Sequence, residues 1–207
     1  MTELVSPTDI CYRAFELMKN KQLEDAEKLL SYHLAKGEND TAVALYHSAL
    51  GILYKMKGDF KEAWRHYARA EKLLPNDPAL KIITARLMIE QFTEHDAAIK
   101  KAKKVLELIP ANPVFVHQAY ITMGLAYAKK GSKKKAVECL EKSMGKNFEG
   151  FVSARNVDCN LAELLLRKKW GEDSCVRFLK CALEFAKLHK EDEFTQAFQK
   201  MVDAFEK

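Results

Sequence analysis

The chain has 207 residues, 48% of them hydrophobic and 30% charged, with only 8 Gly and 5 Pro. That composition excludes low-complexity disorder, because enough apolar surface is present to offset the entropy of ordering. The net charge of +5 is mild and argues against a dedicated nucleic-acid binder, which concentrates positive charge on one element. No apolar run approaches the roughly 20 residues that span a bilayer. The Met1-Thr2-Glu3 start has no secretory-signal pattern, so a cytoplasmic protein without membrane insertion is expected. Five cysteines, an odd number with no C-x-x-C pair, fit reduced thiols in that compartment.

Apolar residues recur at helical spacing along the whole chain, and strand-like alternation is sustained nowhere. About eleven helices are predicted, joined by short breaks. Lys19-Asn20-Lys21 separates the first two, and Gly37-Glu38-Asn39-Asp40 precedes the third. Next come a helix over Ala44–Lys57, a Gly58-Asp59 turn, and a helix over Phe60–Leu74 stopped by Pro75. Further breaks fall at Asn76–Pro78, Pro110–Pro113, Gly131-Ser132 and Gly171–Asp173. Asp40, Asp77 and Asn112 suit helix N-caps, and Pro78 and Pro113 suit the first helical position. Gly37, Gly58 and Gly131 suit the left-handed conformation that ends a helix. No linker long enough to separate two domains is present, so a single domain over 1–207 is expected. In the last segment, 191–207, Phe194, Ala197, Phe198, Met201, Val202 and Phe205 follow i, i+3, i+4, i+7 spacing and predict a strongly amphipathic helix. It reads as a cap on the end of the array. The other reading is an anchor that docks in a second copy, making a homo-oligomer, or in this chain's own groove.

Gly51, Tyr54, Gly58 and Ala63 recur as Gly124, Tyr127, Gly131 and Ala136, each displaced by the same 73 residues. The displacement equals two periods of roughly 34 residues with a small excess, the mark of a repeating helical unit. The unit Ala44–Asp77 resembles a tetratricopeptide repeat (TPR) in its Leu50-Gly51 and Tyr54, its Ala63, Tyr67 and Ala70, and its closing Pro75. Weaker copies occupy 7–40, 78–112, 117–150 and 156–189, the last fitting only with Trp170 in the turn. The resemblance implies an all-α, right-handed superhelix (an α-solenoid) of about five such hairpins, with 191–207 capping it. Gly51 and Ala63 should then lie where two helices cross, with Tyr54 and Tyr67 filling the space beside them.

Sites of chemistry are not evident. None of the glycines belongs to a phosphate-binding loop, no G-x-S-x-G elbow occurs, and the six histidines are dispersed without a zinc-ligand spacing. No catalytic residue, cofactor or metal is predicted, and an enzyme is not expected. His47 and His117 read as packing histidines. Lys100, Lys101, Lys103 and Lys104, and Lys129, Lys130 and Lys133–Lys135, read as solvated helix faces, since aromatics for base stacking are not interleaved with them. Nucleic acid is therefore not an expected partner.

The resemblance also implies where a partner would bind, because first helices line the concave face of such arrays. The groove would carry Phe15, Met18 and Lys19, then Ile52, Lys55 and Met56, and then Ile82 and Arg86. After these come Ile121, Leu125 and Lys129, and finally Leu164, Arg167 and Lys168. Family members that clamp a chaperone's C-terminal carboxylate use Lys, Asn and Arg where this chain has Cys11, Phe15, Ser48, Ala79 and Ile83, so that clamp is absent. An apolar centre with a cationic edge suits a peptide or amphipathic helix with an acidic flank. The function implied is a non-catalytic adaptor or scaffold for protein–protein interaction. The alternative is a dedicated chaperone for an exported or assembling client.

Overall fold

The computed structural model describes residues 6–37 and 39–205, and their regular structure is entirely helical. The Met1-Thr2-Glu3 start, Glu38 and the last two residues of the 191–207 segment lie outside the described residues. The described residues fall into two compact units, Met1–Leu87 and Met88–Lys207. No loop marks the boundary. The helix Pro78–Leu87 is followed directly in sequence by a π-helical turn, Met88–Phe92.

The first unit holds α1 (Pro7–Lys19), α2 (Leu23–Ala35), α3 (Asp40–Met56), α4 (Phe60–Leu73) and α5 (Pro78–Leu87). Local chemistry sets their ends. Ser6 and Asp9 form a reciprocal capping box at α1, with the Asp9 amide donating to Ser6 Oγ at 3.2 Å and the Ser6 amide to Asp9 Oδ2 at 3.1 Å. Asp59 and Asp77 accept from the amides of Glu62 and Leu80 and cap α4 and α5. The α3 cap is Asn39, not Asp40: Asn39 Oδ1 accepts from the Ala42 amide at 3.0 Å. Asp40 is instead the first helical residue, where its carboxylate meets the positive end of the helix dipole. Gly58 takes φ +78°, the left-handed geometry that closes α3.

Packing in this unit follows the repeat pattern. A Cβ on Gly51 would stand 2.5 Å from Tyr67 Cε1, so the missing side chain is what lets the Tyr67 ring lie on α3. Ala63 and Ala70 of α4 are fully buried beside it. Extra volume has nowhere to go, and Ala63→Leu is expected to cost about 1–3 kcal/mol by overpacking. A denaturant midpoint equal to that of the parent protein would show that α3 and α4 do not cross at this residue.

The second unit follows the π-helical turn with α6 (His95–Leu108), α7 (Pro113–Lys129), α8 (Lys133–Ser143), a 3-10 turn (Ala154–Asn156), α9 (Asn160–Arg167), α10 (Glu172–Leu188) and α11 (Asp192–Asp203). The extra residue of the 78–112 repeat is absorbed as the π-helical turn, which Thr93 ends at φ +55°. Asn112 caps α7 and Pro113 opens it. Gly124 is the counterpart of Gly51. A Cβ there would overlap Leu161 of α9 and stand 3.1 Å from Cβ of Cys139 on α8, so three helices converge on one missing side chain. Between α8 and α9 the chain departs from hairpin geometry. Phe148 and Phe151 turn inward and join His117, Phe178 and Phe185 in an aromatic cluster. Trp170 occupies the α9–α10 turn, and α11 packs on α10 through Phe198 and Val202. Among the described residues no helix is long and apolar enough to cross a membrane.

Candidate functional site

Each first helix has one stripe that its neighbours leave open. On α1 the buried positions are Ile10, Cys11, Ala14 and Met18, which turns Tyr12, Phe15, Glu16 and Lys19 outward. Phe15 is 39% exposed and Tyr12 67%. On α3 the buried residues take up most of the circumference and leave Leu45, Ser48, Ile52, Lys55 and Met56 as the open line. Ile52 is half-buried and Met56 is 52% exposed. Helices α1 and α3 pack against each other, so the first unit places Phe15 and Lys19 on one helix of a pair and Ile52, Lys55 and Met56 on the other. On α5, Ala79, Ile83 and Arg86 are the less-buried positions.

The second unit pairs α7 with α9. Leu125 and Leu164 are half-buried, and Lys129, Arg167 and Lys168 are exposed near the ends of their helices. The two α9 cations are held locally. Arg167 lies 3.7 Å from Glu163 Oε2, and the Lys168 ammonium sits 4.9 Å from the centroid of the Trp170 ring.

Three residues expected in the groove are interior instead. Met18, 2% exposed, belongs to the core cluster of the first unit with Leu30 and Leu53. Ile82 is buried along with Leu80, Thr84 and Ala85, and Ile83 stands in its place on the open line. Ile121 is fully buried because α7 is packed by α6, α8, α9 and the π-helical turn together, which leaves it a narrow open edge. Cys11 is likewise buried. Tyr12, which sequence reasoning passed over, is the outward residue beside it. The signal was present in the spacing of Ile10, Ala14 and Met18, which fixes the inward face and so the outward one.

A polar cluster in the first unit also went unread. His47 of α3 and His66 of α4 meet Nδ1 to Nδ1 at 2.9 Å. The Tyr54 ring stacks on His66 at 5.2 Å, its hydroxyl donates to Glu27 Oε1 at 2.6 Å, and Lys57 Nζ donates to Glu27 Oε2 at 2.6 Å. Burial, then the charges of His66 and Arg69, push His47 down to about 4, and burial followed by Arg69 lowers His66. The hydrogen bonds from Lys57 and Tyr54 hold Glu27 below its ordinary value, and Tyr54 is in turn raised to about 12. This cluster ties α2, α3 and α4 together. It is a structural latch, with both imidazoles neutral near pH 7.

In the second unit His117 is fully buried, with Nδ1 3.0 Å from the Ser143 carbonyl and Nε2 accepting from the Asp158 amide at 2.9 Å. Both ring nitrogens are thereby occupied. All five cysteines are free thiols. Burial pushes Cys11 and Cys139 up to about 11 and Cys159 and Cys175 up to about 12, so at neutral pH they are not thiolate nucleophiles. Among the described residues no group of three or more His, Cys, Asp or Glu is placed to hold a metal ion.

No protein-family model matches the sequence, and no curated protein does. Solved structures do match. PilW, described as a widely conserved type IV pilus biogenesis factor, superposes with a TM-score of 0.67 at 13% identity, covering 96% of this chain and 92% of its own. BtubC from P. vanneervenii gives 0.67 at 17% identity over 96% of this chain and 79% of its own. A tetratricopeptide repeat protein from Parabacteroides merdae gives 0.64 at 11% identity over 99% and 80%. At such identities the likeness is one of fold.

Proposed function

We propose that this chain, whose fold is that of tetratricopeptide-repeat proteins, acts by binding another protein and not by catalysis. It is read as a cytoplasmic adaptor or scaffold. Within each unit the open stripes of the first helices would take up a peptide or amphipathic helix that is apolar and acidic at one flank. The observation that carries the reading is a recurrence. In the first unit half-open Phe15, Ile52 and Met56 run toward Lys19 and Lys55, and in the second Leu125 and Leu164 run toward Lys129, Arg167 and Lys168. Apolar side chains left half-open beside cations, twice over on the same helices of the hairpins, suit segment capture. Met56 would let the face adapt to more than one ligand.

The test is affinity capture with Ile52→Glu and Leu125→Glu beside the parent protein. Both positions are half-buried and open to solvent, so helicity by circular dichroism should persist while the bound partner is lost. Undiminished binding by both variants would refute segment capture on these faces. A partner that is retained only in its unfolded form, at one-to-one ratio, would move the reading to a dedicated chaperone for an exported or assembling client.

A further inference from the structure

On α3 the open line runs through Leu45, Ser48, Ile52 and Met56, about three turns or 16 Å of helix axis. Its one polar side chain is already used, since Ser48 Oγ donates to the Ala44 carbonyl at 2.7 Å. The adjoining helix α1 adds exposed Phe15 and, beyond it, the single hydroxyl of Tyr12. The middle of this surface therefore has no row of donors and acceptors. An extended segment would press its own N–H and C=O groups against that line, where they lose water and gain no partner. A helix satisfies its backbone internally and presents side chains alone.

Charge sets the direction. Short turns reverse the chain twice between α1 and α3, so these two helices run the same way. Lys19 is the last residue of α1, and Lys55 stands next to the last of α3. Asp9 and Asp40 lie in the first turns at the opposite ends. Glu16, outward on α1 one turn before Lys19, would repel an acid placed farther along, which confines a ligand's acids to the cationic end. Carboxylates are favourable in the first turn of a helix and unfavourable in the last. A helix whose acids meet Lys19 and Lys55 therefore begins there and runs against α1 and α3, with its dipole opposed to theirs.

We propose, resting on segment capture by the first-helix stripes, that the first unit receives an amphipathic helix of a partner protein laid antiparallel to α1 and α3. Acidic residues in its first turn meet Lys19 and Lys55, and its apolar face lies on Phe15, Ile52 and Met56. Basic residues in its last turn suit Asp40 at the far end. Recognition of a helix in a groove reads anchors at i, i+3 and i+7, the spacing that Leu45, Ser48 and Ile52 themselves present.

The experiment titrates the full chain with a synthetic helical peptide of about four turns. The peptide carries Glu in its first turn, Leu along one face of an Ala-rich middle, and Lys in its last turn. Fluorescence anisotropy should show saturable binding. It should weaken by about tenfold or more with Ile52→Glu, with Lys19→Glu/Lys55→Glu, and with a peptide that has Pro at its centre. Lys28→Glu/Lys61→Glu makes the same change of net charge at exposed positions of α2 and α4 and should leave binding within about twofold. With isotope-labelled methionine methyl groups, a nitroxide on the peptide's first residue should broaden the Met56 resonance, and one on its last residue should not. An undiminished Pro peptide would mean an extended ligand, and broadening of Met56 from the last residue would mean the opposite direction. Either result, or equal loss in the two lysine pairs, overturns the antiparallel helix while leaving segment capture in place. Indifference to Ile52→Glu, or no saturation by about 1 mM peptide, would overturn both.

Discussion

Truncating Phe148 to alanine is expected to destabilise the second unit by about 3–5 kcal/mol, the largest loss from any single side chain considered. The ring is 1% exposed. It lies 5.4 Å from the rings of both Phe151 and Phe178, 5.8 Å from His117 and 6.2 Å from Phe185. These edge-on contacts join the α8–α9 connection to α7 and α10. The backbone adds to the demand, since Asn147 and Phe148 both have positive φ, at +54° and +63°, a conformation that costs a branched or bulky residue roughly 1–2 kcal/mol. Ring burial offsets that strain, and alanine would keep most of the strain without the burial. The measurement is denaturant unfolding of Phe148→Ala beside Phe205→Ala, whose half-exposed ring should be worth no more than about 0.5 kcal/mol. A loss at Phe148 as small as that at Phe205 would mean that the cluster does not hold the segment in place.

That cluster also marks where reading from residues stops working. The hairpins are legible because their signals are local. A small residue at a helix crossing, a capping side chain three residues ahead of the amide it accepts from, and a left-handed glycine at a helix end each act within one or two turns. Gly51, Ala63, Asp77, Asn112 and Gly58 are such residues, and they stand where the sequence pattern puts them. Phe148 and Phe151 sit in a break rich in Gly and Asn, and their partners are about 30 residues away in either direction. Periodicity carries no information about such pairs. The His47–His66 contact is lost for the same reason, since each histidine alone looks like a packing residue.

The open stripes are an intermediate case. Spacing alone defines the helical face, and on α3 it picks out the less-buried line. It cannot count how many neighbours a helix has, however, and Ile121 is buried because α7 has four. Met18 and Ile82 fail on register, one position from an outward neighbour: Lys19 and Ile83.

Acidification is expected to weaken the first unit between about pH 6.5 and pH 4, through His47. Its folded value is pushed down to about 4 by burial and by the charges of His66 and Arg69, whereas in the unfolded chain it titrates near 6.5. Between those values the unfolded chain binds more protons than the folded one, so stability rises with pH. The contribution is complete above about 6.5 and is lost as pH falls toward 4, a change on the order of 3 kcal/mol for this one imidazole. His66 is lowered in the same direction and adds to the slope.

Geometry supplies the cause. A 2.9 Å Nδ1–Nδ1 contact needs one N–H and one lone pair, and two imidazolium rings would set N–H against N–H. The charges around the pair are Arg69 and Glu62 on α4, Lys57 just past the end of α3 and Glu27 on α2. Glu27 is held below its ordinary value, so its own contribution disappears only below the usual carboxylate range, beneath most of the histidine window. Denaturant midpoints at pH 7, 6, 5 and 4 for the parent protein and for His47→Gln separate the two effects. Whatever the variant loses at pH 7, its dependence on pH between 6.5 and 4 should be flatter. Parallel curves would show that the His47–His66 contact does not set the acid stability of this unit.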